Sequence, residues 1–257
     1  MNKQEKIEYT KDKLNEGWSQ RKIARELNVD SSTVRYWIKQ NFKISSHVSS
    51  VEHLQDNIKQ NKHHYAYILG AYLGDGCIST HPRSYALRIF TDNDYPEIIQ
   101  REIDSLQKIF PNNKVNSWKQ KYADCTEIKV YNKHHPILFA QHGEANKHTR
   151  DVSLHDWQWD IVKEEPECFL IGLIDSDGCE YYHTQVVGGK ERSYKMFMFT
   201  NMSPDIVNMY SETLKLLNIE HTFVRYKTGK VNVYVRKRSD VTKLEEIYKL
   251  AINKLKY

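Results

Sequence analysis

The chain carries one nine-residue pattern twice: Ile68 to Gly76 reads ILGAYLGDG, and Leu170 to Gly178 reads LIGLIDSDG. Each copy is an apolar run with small residues four positions apart, Gly70 and Gly74 in the first, Gly172 and Ser176 in the second, closed by Asp-Gly. On a helix, small residues at that spacing share one face, and with no side chain between them two backbones can approach very closely. Gly76 and Gly178 are expected to stop the helices in the left-handed conformation that glycine favours. If the two helices pack side by side, Asp75 and Asp177 meet at their C-terminal ends, where unpaired carbonyls add partial negative charge. Such a spot attracts divalent cations.

The segments downstream of the two copies repeat as well. After Gly76, Cys77 to Thr91 predicts two strands around His81-Pro82, and Pro96 opens a helix running to about Phe110. Lys114 to Trp118 and Cys125 to Tyr131 then form a second hairpin, and Pro136 opens a helix ending near Gly143. After Gly178 come strands around Gly188-Gly189, a helix from Pro204, a hairpin around Thr228-Gly229 and a long helix from Val241. RIFT (Arg88 to Thr91) matches MFMFT (Met196 to Thr200), and Val-Tyr recurs at Tyr131 and Tyr234 at nearly equal distances from the two Asp-Gly pairs. A repeat of roughly a hundred residues means two tandem copies of helix, hairpin, helix, hairpin, helix. The predicted class is α+β, with an internal pseudo-two-fold in one chain and monomeric behaviour.

Alternation sorts the strand faces. Ile128 and Val130, and Val231, Val233 and Val235, turn to the core; Lys129, Tyr131 and Lys133, and Asn232, Tyr234 and Arg236, turn to the other side. A sheet face rich in Lys, Arg, Tyr and Asn suits a nucleic-acid groove. The formal net charge of +5 permits a polyanionic partner without demanding one, and the 17 Tyr add side chains that reach phosphates and groove edges.

The N-terminal region has a different pattern. Residues 4 to 16 predict a helix, Gly17 breaks it, and SQRKIARELNVDSSTVRYWIKQ from Ser19 reads as a helix-turn-helix. Ser19 caps its first helix, Ile23, Ala24 and Leu27 face inward, Asn28 to Asp30 turn, and the second helix points Val34 and Ile38 inward. Ser32, Thr33, Arg35, Tyr36 and Lys39 are left outward as candidate DNA contacts, since the second helix of such a motif enters the major groove. The expected organisation is a helix-turn-helix domain over 1–42, a linker over 43–60 with a short helix in its second half, a first half over 61–145, a connection over 146–165 and a second half over 166–257. In the connection, Trp157 and Trp159 are expected to pack on the core; Lys147, His148 and Arg150 stay undecided between structure and DNA contact.

The four cysteines form no CxxC pair and predict reduced thiols in a cytoplasmic protein, and no His doublet has zinc-site spacing. No apolar run reaches membrane-spanning length, so no membrane partner is expected.

The second copy differs from LAGLIDADG only at Ile171 and Ser176, and from about Tyr65 onward the chain resembles the two-motif, single-chain LAGLIDADG homing endonucleases. The resemblance implies a duplicated αββαββα core whose two antiparallel sheets form a saddle over double-stranded DNA. It implies a metal-dependent, site-specific endonuclease, with Asp75 and Asp177 binding Mg²⁺ and the carbonyls of Gly74 and Ser176 as added ligands. Asp175 is expected to cap or pack. Lys133 in the first half, and Arg236 or Lys237 in the second, are the candidate basic residues near the cut phosphate. Further saddle contacts are expected from Arg83, Arg88, Lys114, Trp118, Lys129, Tyr131, Lys190, Arg192, Arg225, Lys227, Lys230, Asn232 and Tyr234. The rival reading is a DNA-binding transcriptional regulator on the same scaffold that no longer cuts; the two retained Asp residues favour the enzyme.

Overall fold

A computed structural model describes residue 1, residues 3–39, residue 42 and residues 51–257. The chain divides into two compact units, Met1–Gln55 and Asp56–Tyr257. In the first, α1 (Lys3–Asn15), α2 (Gln20–Glu26) and α3 (Ser31–Lys39) enclose Ile7, Ile23, Ala24, Leu27, Val34 and Trp37. Ser19 caps α2 as expected, its hydroxyl accepting from the Lys22 amide at 3.3 Å. The turn passes through Asn28 at φ 49, a left-handed position that Asn tolerates. On α3 the residue buried beside Val34 is Trp37, with Ile38 only partly covered. The larger aromatic ring takes the core position.

Residues 43–50 of the expected linker lie outside the described residues, and residues 51–60 form α4 (Val51–Gln60). Its Asn57 amide donates to the carbonyls of Lys108 and Ile109 at 2.8 and 2.7 Å. Those carbonyls end a later helix and have no partner within it.

The second unit holds the duplicated core. The first copy is α5 (Lys62–Asp75), β1 (Gly76–His81), β2 (Ser84–Asp92), α6 (Pro96–Ile109), β3 (Val115–Lys119), β4 (Cys125–Asn132) and α7 (His135–Leu138). A 3-10 turn at Lys147–Thr149 and α8 (Asp156–Glu164) then connect to the second copy. That copy is α9 (Pro166–Asp177), β5 (Gly178–Val187), β6 (Lys190–Asn201), α10 (Pro204–Leu216), β7 (Thr222–Arg225), β8 (Val231–Val235) and α11 (Arg238–Lys254). Each copy makes a four-stranded antiparallel sheet, ordered β1-β2-β4-β3 and β5-β6-β8-β7. The predicted αββαββα order holds twice. Pro136 supports only the short α7, and α11 begins three residues before Val241.

α5 and α9 are apolar around their whole circumference, which a helix tolerates only when buried on all sides. Tyr65 to Leu73 and Cys168 to Ile174 are indeed buried. A Cβ on Gly70 would sit 2.5 Å from the Phe169 carbonyl oxygen, and one on Gly172 would sit 2.1 Å from that of Tyr67. Gly74 likewise abuts Ser176. Gly70 therefore lies beside Phe169 to Leu173, and Gly74 beside Ser176 and Asp177, so the two helices run in the same direction and their acidic ends coincide.

Gly76 and Gly178 correct the expected left-handed stop: their φ values are −93 and −96, ordinary extended backbone. Glycine is needed because a Cβ at Gly76 would lie 2.6 Å from Tyr72 Cα, and one at Gly178 2.7 Å from the Ile174 carbonyl oxygen. Each strand leaves its helix by folding straight back on it.

Strand register also corrects the letter matches. Gly76 pairs with Ile89 and Ile89 with Ile128, whereas Gly178 pairs with Phe199 and Phe199 with Val233. Ile89 is thus equivalent to Phe199, and Thr91 to Asn201 rather than to Thr200. Tyr234 corresponds to Lys129, Tyr131 to Arg236, and Lys133 to Arg238. The expected faces survive the slip. Ile128, Val130, Val231, Val233 and Val235 are buried on the helix side.

The connection is pinned by Gln158; the Trp157 ring packs one side on the buried Tyr65 ring, centroids 5.6 Å apart, and leaves the other open, and Trp159 is half-buried. The Gln158 amide donates to the Tyr65 hydroxyl at 3.0 Å and to Gln141 Oε1 at 3.1 Å, and its own oxygen accepts from Gln141 at 2.6 Å. Among the described residues no helix is long and apolar enough to cross a membrane, and all four cysteines are free thiols.

Candidate active site

Asp75 ends α5 and Asp177 ends α9, and the contact at Gly74 fixes their relation: a Cβ on Gly74 would lie 2.9 Å from Asp177 Oδ2. Each acid opens onto a cavity built largely by the other copy. Asp177 lines one of about 440 Å³ with Gly76, Cys77 and Ile78 of the first copy and Lys147, His148 and Arg150 of the connection. Asp75 lines one of about 720 Å³ with Gly178, Glu180, Lys195, Glu245 and Lys249 among its walls.

Like charges brought together out of water resist ionisation. Surrounding protein, and then the charge of Asp177, push Asp75 up to about 7 even though its outer surface meets the cavity; Lys147 pulls against them. Asp177 is also raised by burial, opposed by the Asn201 amide that donates to its Oδ2 at 2.7 Å and by Lys147. Burial in turn lowers Lys147 to about 8 against the pull of Asp177 and Asp75.

Lys147 is the residue that the sequence left undecided. Its ammonium donates to the carbonyls of Tyr72, Leu73 (2.9 Å) and Gly74 (2.8 Å), the last turn of α5. A cation there meets the negative end of the helix and satisfies carbonyls that have no helical partner. The bond to Gly74 spans 73 residues, so no local periodicity marks it. Arg150 belongs with it, donating to the Gln141 carbonyl at 2.5 Å. Asn201 was likewise unmarked in the sequence.

The other expected ligands are partly committed. The Gly74 carbonyl already accepts from Lys147; the Ser176 hydroxyl, a different group from the carbonyl expected as a ligand, donates back to the carbonyls of Gly172 and Leu173 at 3.1 and 3.0 Å. Among the described residues no group of three or more His, Cys, Asp and Glu gathers at one point. Asp175 packs, as expected: its carboxylate accepts from Tyr67 (2.9 Å), Tyr248 (2.6 Å) and Arg101, tying α5, α11 and α6 to α9. Lys133, Arg236 and Lys237 are exposed and line neither acid's cavity. Arg236 stacks on Tyr234 at 4.2 Å, and Lys237 pairs with Glu220 at 3.1 Å.

On the first sheet's outer face, Lys114, Trp118, Lys129 and Tyr131 border one hollow. Arg88 and Lys129 both pair with the buried carboxylate of Glu127, at 2.6 and 3.2 Å, which fixes their direction. Trp118 also lies under Lys129 at 4.5 Å. Arg83 is exposed in the β1–β2 turn, as are Lys190 and Arg192 on β6 and Lys227 and Lys230 between β7 and β8. Two expected contacts are placed otherwise. Asn232 is only 4 % exposed, bonded to Tyr234 and Thr200. Arg225 pairs with Val231 and so sits on the helix-side face of the edge strand β7. On α3, Ser32, Arg35, Tyr36 and Lys39 are exposed and Thr33 is half-buried.

No family model matches the sequence, and no curated protein matches it. Solved structures do. The homing endonuclease I-DmoI in complex with DNA and Mn aligns over 73% of this chain and 97% of its own, at 15% identity and a TM-score of 0.51. An I-DmoI variant with its target DNA and Mn aligns over 74% and 95%, at 15% identity and 0.52. Mesophilic variants of I-DmoI align over 74% and 97%, at 15% identity and 0.51. With the paired motif helices and the two four-stranded sheets, this chain has the LAGLIDADG homing endonuclease fold.

Proposed function

We propose that this protein is a site-specific double-strand DNA endonuclease of the homing type, hydrolysing phosphodiester bonds at the seam between α5 and α9. The observation that carries the reading is the acid pair, Asp75 and Asp177, held side by side and raised above their ordinary range. Two carboxylates facing one lysine leave an excess of negative charge at two helix C-termini, which suits a divalent cation. Asp75 and Asp177 would hold it, as Mg²⁺, and the Gly74 carbonyl keeps a second lone pair beyond the one engaged by Lys147. When bound, such a cation neutralises phosphate charge and eases deprotonation of the attacking water. I-DmoI structures contain DNA with Mn or Mg, in keeping with this.

The chain's own residues supply the rest. Without a cation Asp75 stands near 7, and a divalent ion shared with Asp177 would hold it ionised as a ligand, so that binding releases a proton at neutral pH. Lys147 keeps its charge at that pH; its three N–H donors are taken by the α5 carbonyls, so its part is to set positive charge beside the cavity that Asp177 lines, where it offsets the charge of a phosphate. Lys133, Arg236 and Lys237, away from the acids, serve as anchors to the DNA backbone. Arg88, Lys129 and Tyr131 face the duplex, and α3 reads a major groove through Ser32, Arg35, Tyr36 and Lys39.

One observation favours a DNA-binding regulator instead: Lys147 already supplies a cation to the α5 terminus. A randomised plasmid library, incubated with and without Mg²⁺ and scored for nicks and double-strand cuts, separates the two. The enzyme reading expects metal-dependent cutting that Asp75→Asn and Asp177→Asn each abolish while binding persists. Binding with no cut at any site, or full cleavage by both variants, would refute it.

A further inference from the structure

Thr91 on β2 and Asn201 on β6 occupy equivalent places beside the two acids, and the copies use them differently. Asn201 is spent on the acid itself: its amide donates to Asp177 at 2.7 Å, and its carbonyl oxygen accepts from the Ser203 amide at 2.7 Å. Thr91 lies in the wall of the Asp75 cavity, but its hydroxyl donates to Glu102 Oε2 on α6 at 2.6 Å. Glu102 is 3 % exposed. Counted from the prolines that open the two helices, its counterpart on α10 is Tyr210, stacked on Phe199 at 4.1 Å. Packing alone would favour the ring, since a buried carboxyl is costly to ionise.

Hydrogen-bond direction decides what Thr91 offers to the cavity. A hydroxyl has one proton and two lone pairs. With its proton given to Glu102, Thr91 has only lone pairs left, and so accepts a hydrogen bond from cavity water. Burial pushes Glu102 up to about 8; the Thr91 bond opposes this, the charges of Asp175 on α9 and Asp75 on α5 add to it, and Arg101 on α6 pulls back. Tyr67 of α5 also faces it, and Glu102 feels Asp75 only through its charge. An acid so placed takes up a proton readily near neutral pH.

We propose that Thr91 and Glu102 form a proton chain that activates the attacking water on the Asp75 side, a chain the second copy does not repeat. The proposal rests on the nuclease reading above. The water's O–H bond breaks as its oxygen bonds to phosphorus; that proton passes to the Thr91 oxygen while the Thr91 proton passes to Glu102. The bond from phosphorus to the leaving sugar oxygen breaks, the electron pair stays on that oxygen, and solvent water protonates it. Glu102 then returns its proton to cavity water by the same route. Thr91 touches the reacting water, and Glu102 acts through Thr91.

The test is strand-resolved cleavage by the full-length protein in Mg²⁺, on a duplex carrying a site found in the plasmid library and labelled on each strand in turn. Glu102→Gln keeps an acceptor for Thr91 and matches the protonated acid in shape. Its melting temperature should therefore hold, while one strand is cut about 10²-fold more slowly and nicked duplex accumulates. Thr91→Val should slow the same strand, and Thr91→Ser should recover most of that loss. Only ionised Glu102 can take the proton, so in the parent the rate on that strand relative to the other should climb about tenfold per pH unit toward pH 8 and then level. Glu102→Gln should flatten that climb. Equal slowing of both strands, slowing of neither, or a parent strand ratio independent of pH would overturn the chain while leaving the nuclease reading intact. A parent protein that cuts no site would overturn both.

Discussion

Gly172→Ala separates close helix packing from every local rule, because the local rules predict the opposite sign. In a helix interior, replacing Gly by Ala ordinarily stabilises by about 1 kcal/mol. At Gly172 the added methyl would lie 2.1 Å from the Tyr67 carbonyl oxygen and 3.0 Å from the Ala71 nitrogen, both backbone atoms of α5. Neither can rotate away. Ordinary contact needs about 3.5 Å, so α9 must retreat from α5 by more than about 1 Å. A gap of that order forfeits a quarter to a half of each dispersion contact along the seam, on top of about 1–3 kcal/mol of overpacking strain. Set against the helix-propensity gain, the net loss is about 2–4 kcal/mol, which lowers the melting temperature by roughly 4–16 °C for a body of this size. Thermal unfolding by circular dichroism measures it. The comparison is Gly74→Ala, whose obstacle is the Ser176 side chain at 2.1 Å. Adding Ser176→Gly should restore much of that loss, and no single side-chain deletion should restore Gly172→Ala. A Gly172→Ala protein as stable as the parent would refute the backbone-contact account of the seam.

Two more outcomes arise from buried charge. Asp175→Asn leaves Arg101 without its carboxylate in a site where the two side chains are 10% and 2% exposed, and breaking such a pair costs about 3–5 kcal/mol; urea denaturation should show that loss, and a change below about 1 kcal/mol would remove Asp175 as the hub. Asp75 has a folded-state pKa raised from 3.8 to about 7, so folding takes up a proton between those values and the ionised acid destabilises most above pH 7. With divalent ions chelated, Asp75→Asn should therefore raise the melting temperature at pH 8 and have little effect near pH 4, by a few degrees at most since cavity water screens the group. An effect equal at both pH values, or larger at pH 4, would mean the carboxyl is not raised.

Much of the core was legible because it rests on period and composition. The duplicated apolar runs, the small residues at Gly70, Gly74, Gly172 and Ser176, and the Pro-started helices at Pro96 and Pro204 all express steric or conformational rules that act within a few residues. Face alternation worked for β4 and β8 because burial follows from the pleat alone. Identical letters were a poorer guide: Thr91 donates to the buried Glu102 under the first sheet, whereas Thr200 bonds Asn232 on the outer face of the second. Glycine chemistry misled at Gly76 and Gly178 because steric crowding and left-handed backbone select the same residue. Lys147 and Glu127 were illegible for another reason. Their roles exist only once distant strands and helices meet, and nothing in the neighbouring sequence differs from a solvated charge.

The match between the copies is closest where tolerance is smallest. At the seam, Gly70 faces Gly172, Gly74 faces Ser176 and the two Asp-Gly ends coincide, since a methyl group more would strike backbone at Gly70 and Gly172 and the Ser176 side chain at Gly74. A few ångströms outward the cavities diverge: Lys147, His148 and Arg150 surround Asp177, whereas Glu180 and Glu245 share Lys195 beside Asp75. Farther still the first copy ends its hairpin at Ser84 and the second runs on for the length of a free ribbon. Close packing permits no drift in the interior, while solvent-facing edges accept insertions at little cost in stability. A duplicated chain of this kind therefore keeps one shared centre and specialises at its rim. If the nuclease reading holds, the two strands of its target meet similar acids in dissimilar surroundings.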